Sequence, residues 1–334
     1  MALIALRSPQ YKYISIPASG VLSAKCTITI AGTLRYTLVK NTTPSTGCNF
    51  DISELVRDYL SITYSTSYAV DSIAIVTVLQ NYSSLNAGSG DEVGSAVTYT
   101  DTGFEAYGEF MEQSNPTIPF RTKPSWLIAS QNLSASESFE IFVPTGISGY
   151  VPFVRSSSTI GSIAYNTTDT TKTEDGVPLT ITRIDCTKYG DGIKAIFINR
   201  YGVQQDLWFF LKQVKSLNRT NESFQSNIIE YPDDEAAVYS TAVAPKKVFN
   251  TQATQSHSLS SGYYPEWANQ YFEELLLSEY IWLQLPRKEN PTLFYITPVK
   301  VKTSSMTFKT SVNDRLIEYT IDFEEAFDHI QNVR

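Results

Sequence analysis

The chain is poor in the residues on which most enzymes rely. Its 334 residues include two histidines, His257 in a Ser-rich stretch and His329 near the C-terminus. Neither stands in a nucleophile motif, and a Gly-x-Ser-x-Gly elbow is absent. Both histidines are expected to be solvated or capping. A Walker loop and a Rossmann glycine pattern are also missing, which argues against nucleotide binding. Three cysteines, Cys26, Cys48 and Cys186, are odd in number and lack Cys-x-x-Cys spacing, so they make neither a disulfide framework nor a zinc site. Cys26 alternates with Ile28 and Ile30 and is expected to be buried as a small hydrophobe. No run approaches the ~20 apolar residues that span a bilayer, so no membrane insertion is expected. Met1 to Pro9 has no basic n-region and too short an apolar core for a secretory signal, so a soluble product made in a cytoplasm is expected.

Charge is scarce too, at 18% of residues, with a net charge of −8 and a pI near 5.0. A nucleic-acid surface needs a basic stripe, and the one cluster of that sign, Lys300, Lys302, Lys309 and Arg315, reads as a solvated strand face that discourages edge pairing. Carboxylates are adjacent at Asp233-Asp234-Glu235, Glu273-Glu274 and Glu324-Glu325, but adjacency in sequence does not place two of them across a cleft. Asp233 to Glu235, after Pro232, read as a turn or helix start. Asp169, Glu174 and Asp175 fit no calcium-loop template. Six Asn-x-Ser/Thr triplets, beginning at Asn41, Asn81, Asn132, Asn166, Asn218 and Asn221, follow from a composition rich in those residues. No catalytic residue, cofactor site or metal-ligand set is assigned, and no enzymatic activity is expected.

What the chain has is apolar and aromatic. It is 42% hydrophobic and 13% aromatic, with 21 tyrosines and 17 phenylalanines, enough to bury a sizeable core and weighted towards strands. A mainly β protein is expected, with two β-sandwich-like domains and a few short helices. Period-two alternation in Cys26–Ile30 and Leu34–Leu38 around Ala31-Gly32 predicts a half-buried hairpin. Asp51 is placed to cap a short helix over 52–60 whose Ile52, Leu55, Val56 and Tyr59 share one side. Ile73 to Leu79 reads as a central strand, and Val97 to Phe110 as an aromatic strand pair. Three prolines between Asn115 and Pro124 mark a boundary, dividing an N-terminal domain (1–124) from a C-terminal one (125–334).

In the second part, strands are expected at Phe139–Val143, Tyr150–Val154, Leu179–Ile184, Ile193–Phe197 and Leu207–Leu211. A helix near 265–279 should carry Trp267, Tyr271, Leu275 and Leu276 on one stripe. Ser156 to Asp175 is read as a long exposed loop. Gln213 to Gly262 is read likewise, with short β-prone pieces at Ala237–Val243 and Lys247–Thr254; long polar segments of this kind await a partner. A final hairpin should turn at Asn313-Asp314, with Met306, Phe308, Leu316, Tyr319, Ile321 and Phe323 supplying its apolar surface.

Three segments carry a likeness. Phe197-Ile-Asn-Arg-Tyr-Gly-Val-Gln-Gln-Asp-Leu-Trp-Phe-Phe-Leu211 joins two apolar strands through a tight turn, with Gly202 free to take positive φ and Trp208 set in the second strand. Asn49-Phe-Asp-Ile-Ser-Glu-Leu-Val-Arg-Asp-Tyr-Leu60 follows the first hairpin. Leu275 to Leu283, a strand over Pro298–Lys309 and Lys309-Thr-Ser-Val-Asn-Asp-Arg-Leu-Ile-Glu-Tyr-Thr-Ile321 close the chain. Together they resemble tail and collar virion proteins of tailed phages infecting Bacteroidota, including crAss-like phages.

The resemblance implies a structural virion protein of a tail, collar or baseplate ring, assembled in the host cytoplasm. Its partners would be copies of itself and neighbouring tail, collar or portal proteins. The alternative is a carbohydrate-binding or adhesion β-sandwich. Of the four tryptophans, Trp208, Trp267 and Trp282 lie in apolar alternation and are expected to be buried, which leaves Trp126 as the free candidate for a sugar platform.

Overall fold

The computed structural model describes residues 2–14, 21–41, 47–68, 76–86, 92–116, 125–128, 139–156, 159–174, 176–186, 192–233, 236–287, 289–290, 293–310 and 315–330. The protein is mainly β with a few short helices. The first part contains β1 (Ala2–Ala5), β2 (Tyr11–Ile14), β3 (Val21–Ile30), β4 (Thr33–Asn41), β5 (Cys48–Asp51), α1 (Ser53–Arg57), β6 (Val76–Asn86) and β7 (Glu92–Phe104). Five of these strands form one sheet in the order β1-β7-β6-β3-β4, with β1 parallel to β7 and the other pairs antiparallel; β2 pairs with β5 separately.

The first hairpin follows its sequence closely. Ala31 and Gly32 take φ of 48° and 80°, the left-handed pair that matches strand twist in a two-residue turn. The alternation of β3 sends Ala24, Cys26, Ile28 and Ile30 into a core shared with Phe50, Ile52 and Val56. Helix α1 stops at Arg57, short of the expected Leu60. Asp51 sits one residue before the cap, Ile52, and its carboxylate accepts the Ser53 amide at 3.0 Å and the Gln10 amide at 3.1 Å. The aromatic pair expected over Val97–Phe110 is instead the end of the single strand β7, followed by a 3₁₀ turn at Phe110–Glu112. β6 is central in its sheet, as expected, although 73–75 lie outside the described residues. Of the boundary stretch, 117–124 lie outside them as well.

The second part contains β8 (Ser125–Trp126), β9 (Phe139–Pro144), β10 (Gly149–Ser156), β11 (Thr159–Tyr165), β12 (Thr171–Glu174), β13 (Val177–Ile184), β14 (Ile193–Ile198), β15 (Gln204–Phe209), β16 (Gln213–Gln225), β17 (Ile229–Glu230), β18 (Val238–Tyr239), β19 (Lys246–Ser260), β20 (Tyr264–Pro265), α2 (Asn269–Leu277), β21 (Ile281–Pro286), β22 (Phe294–Val301), β23 (Leu316–Ile317) and β24 (Thr320–Glu325). Seven strands form an antiparallel sheet, β15-β14-β21-β22-β24-β19-β16, while β11-β10-β8 and β12-β13-β9 are smaller sheets. One large core joins them to α2, through Phe153, Leu179, Phe197, Phe209, Phe272 and Phe323 among others.

Two expected loops prove to be paired backbone. Within 156–175, β11 forms a hairpin with β10 and buries Ile160 and Tyr165, and β12 pairs with β13. Within 213–262, β16 and β19 pair along their whole length. Small polar side chains between the apolar positions hid both ladders, because polarity reports exposure of side chains and says nothing of backbone pairing. The closing strands β22 and β24 pair through the longer connection 302–319, and the turn expected at Asn313-Asp314 lies outside the described residues.

The hairpin β14–β15 ties the two parts of the chain together. Every residue of β14 is buried, so both of its faces need cover. One face joins the large core. Across the other runs the chain from Leu60 to Tyr68: Leu60 and Ile62 pack against Ile198, and Ser65 exchanges two hydrogen bonds with the Gln204 amide, at 2.8 and 2.9 Å. The turn itself is held by Asn199, whose Nδ2 donates to the Leu127 carbonyl at 2.8 Å and to Gln205 Oε1 at 2.9 Å, and whose Oδ1 accepts the Tyr201 amide at 3.0 Å.

Gly202 has a φ of +77° and lies against the end of β7: a Cβ there would stand 2.9 Å from the Phe104 Cβ and 3.0 Å from the Glu105 amide nitrogen. Left-handed backbone and close approach thus both demand glycine. Gly202→Val should therefore cost about 1–3 kcal/mol from backbone strain alone, read as a drop of several degrees in Tm; an unchanged Tm would show that the turn does not seat against β7.

Candidate functional site

The residues singled out by sequence do not converge on a cleft. Asn199 and Gly202 meet in the turn just described, Trp208 is buried in the following strand, and Asp51 braces β5 to α1 on another part of the molecule. The tryptophan assignments are partly reversed. Trp126 is buried at 2% exposure, stacked edge-on against Phe153 with centroids 4.8 Å apart, whereas Trp267 is exposed at 39%. Trp126 follows the boundary stretch in sequence but pairs with β10, and its indole donates to the Val177 carbonyl, so no sugar platform forms there.

Three polar clusters lie inside or along the fold. The first is on the covered face of β14–β15. The Lys194 ammonium forms an ion pair with Asp206 Oδ2 at 3.2 Å and donates to the Tyr68 hydroxyl at 3.3 Å, while Tyr68 donates to Asp206 Oδ1. Burial pushes the Asp206 carboxyl above the ordinary range, against the pull of Lys194 and Tyr68, and burial likewise raises Tyr68. Lys194 also lies over the rings of Tyr68 and Trp208, 5.6 Å from each centroid.

The second cluster rims the contact between the two parts. Buried Glu105 takes the guanidinium of Arg57, and Glu279 lies 3.2 Å from Arg7 and 2.6 Å from Arg57. The hydrogen bond to Glu105 raises the Arg57 pKa further. Nearby, Arg200 reaches Glu109 at 2.8 Å and Glu112 at 2.9 Å, and its amide donates to Glu274. Each buried charge has a partner, as burial requires. Sequence reasoning missed Tyr68, Lys194, Asp206 and Glu105, since partners up to 138 residues apart leave no local pattern.

The third cluster corrects a histidine. His257 was expected in solvent, yet it is 4% exposed on β19, with Nε2 3.1 Å from Glu325 Oε1 on the neighbouring strand β24. His329 is exposed, as expected, and holds the chain end to β19: its amide donates to the Ala253 carbonyl at 2.6 Å and its ring meets Gln255. Among the described residues, no group of three or more His, Cys, Asp or Glu is placed to hold a metal ion, and no helix is long and apolar enough to cross a membrane.

The most distinctive surface is a ribbon. β24 flanks β19 along Ser256–Ser260 and the chain end covers it as far as Gln252 through His329 and Ile330, so beyond Thr220 and Gln252 the β16–β19 pair leaves the sheet as two strands alone. Residues 221–225 extend it by roughly 17 Å at about 3.3 Å per residue. All of β16 is exposed, and the far end carries the small ladder β17–β18. Leu217, Phe224, Val248 and Phe249 on the stem and Tyr231 and Tyr239 at the tip stand in solvent, Tyr231 at 73%. Phe224 and Phe249 make one edge contact at 5.7 Å. A two-stranded hairpin without a third strand or a packed face is marginal in water, and clustered exposed apolar side chains mark an interaction surface.

At the root of the ribbon, a pocket of about 200 Å³ opens between β14, β16, β19, β21 and β22. Leu259, Leu285, Pro286 and Tyr295 form its apolar wall, with His257 and Lys215 directly opposite one another in the register. Burial raises the pKa of Tyr295.

Comparisons of the chain with protein-family models, with curated proteins and with solved structures find no match.

The Lys194–Asp206 pair lends itself to a direct measurement. Lys194→Met should destabilise by about 3–5 kcal/mol because it strands Asp206 in a dry site. The double change Lys194→Met/Asp206→Leu should recover a large part of that loss. Chemical denaturation of the single and double variants checks this, and a double variant less stable than Lys194→Met alone would contradict it.

Proposed function

We propose that this protein is a structural subunit of a tailed-phage virion, part of a tail, collar or baseplate ring, which holds its neighbours through the projecting β16–β19 ribbon. The observation that carries this reading is the ribbon itself: a long pair of strands with exposed aromatic residues, rooted in a body whose own core is closed. Such an element contributes nothing to the subunit alone, and it is suited to lie on a second surface. The hairpin at 197–211, the segment 49–60 and the closing block, which resemble tail and collar proteins, supply the class of assembly. In a ring, every subunit presents one surface and receives another, so the contacts are heterologous and repeat around the closed particle. Neighbouring tail, collar or portal proteins are the further partners in this reading.

Replacing 221–251 by a two-residue turn tests it. The body should fold, with its thermal transition retained, because the seven-stranded sheet needs β16 and β19 only near Ser256–Ser260. Assembly, followed by sedimentation or by electron microscopy of particles, should be lost. A ribbon-less subunit that assembles like the intact chain would refute the reading.

A further inference from the structure

The two ends of the ribbon differ in chemistry, and the difference is complementary. At the tip, Tyr231 stands between Glu230 and Pro232, with Asp233 next, and its chain position is set by the ladder of Ile229–Glu230 with Val238–Tyr239. Tyr231 is the most exposed tyrosine of the described residues, and neither Glu230 nor Asp233 has an ion-pair partner among them. At the root, the pocket joins an apolar wall to Lys215 and His257. Lys215 and Arg219, one above the other on β16, likewise have no carboxylate partner among the described residues. Thus an aromatic, acidic tip faces outward at one end, while an apolar pocket with a basic rim lies open at the other.

We propose that the root pocket receives the ribbon tip of a second copy of this chain, with the Tyr231 ring inside the pocket and Glu230 and Asp233 against Lys215 and Arg219. This deepens the ring reading and rests on it. The same ribbon carries both halves of the contact roughly 30 Å apart, so a chain cannot fill its own pocket without folding the ribbon back on itself. The contact is therefore head-to-tail, which is the kind that propagates into a ring. A tyrosine held in a pocket is also a common energetic anchor of interfaces, because its ring buries area with little loss of side-chain freedom. The surrounding charges set orientation and the rate of encounter.

The test uses the full-length chain and two exposed positions, so that folding, checked by circular dichroism, is preserved. Tyr231→Ala spoils the tip and Lys215→Glu spoils the root. Each alone should raise the concentration for half-assembly about tenfold or more. Mixed one to one, the two should form discrete heterodimers and stop there, since the intact tip of Lys215→Glu fits the intact root of Tyr231→Ala and no second contact remains. Light scattering and sedimentation resolve these species. If both variants assemble like the unaltered chain while the ribbon-less chain does not, the ribbon has another docking site and this inference is wrong, although the ring reading stands. If the unaltered and ribbon-less chains behave alike, both readings fail.

Discussion

The whole arrangement depends on one constraint: the hairpin β14–β15 is buried on both faces. A strand such as Ile193–Ile198, with no exposed residue, cannot sit at the border of a sandwich unless a second layer covers it. Residues 60–68 are that layer. They bring Leu60, Ile62 and Tyr68 over Ile198 and Asp206, and Ser65 onto Gln204. The turn at Asn199–Gly202 then reaches the end of β7, and a small core of Leu3, Phe104, Leu127, Val154, Tyr201 and Val203 closes over it. Residues on both sides of the proline-rich stretch therefore share one apolar cluster.

Charge is distributed to match. Where the two parts meet, carboxylates and guanidinium groups are drawn into a network: Glu105 with Arg57, Glu279 with Arg7 and Arg57, and Arg200 with Glu109 and Glu112. Desolvating such groups is costly, and only good mutual geometry offsets it. On the ribbon the reverse holds. Lys215, Arg219, Glu230 and Asp233 point into water, where an exposed pair contributes little and an unpaired charge costs little. Among the described residues the charges buried in the body are paired within it, whereas these four ribbon charges have no ion-pair partner.

Much of the fold was legible where local rules suffice. The Ala31-Gly32 hairpin follows from strict alternation and a glycine that accepts positive φ, and the same holds for the turn at Gly202. Helix α2 followed from spacing, with Tyr271, Phe272 and Leu275 buried on one side. The errors share a cause. The polar side chains of β11, β12 and the ribbon predict loops, yet a strand at a sheet's margin needs only its backbone to pair, and β16 is paired along its length while exposed at every position. Sequence alone reads Trp126 as free and Trp267 as buried because a single window cannot say which face of an element meets the rest of the chain. His257 looked solvated among serines, but β24 brings Glu325 beside it from 68 residues away.

By itself the sequence determined the strand-rich class, the tight turns and the apolar stripes, since these arise from interactions among residues a few positions apart. Packing between distant segments sets which strands stand next to one another, brings Tyr68, Lys194 and Asp206 together, and lets residues 221–251 leave the sheet as a ribbon with a pocket at its root. Those outcomes depend on covering the second face of β14–β15 and on how far β24 runs along β19. Both are set by packing between distant segments, for which a linear pattern carries no period.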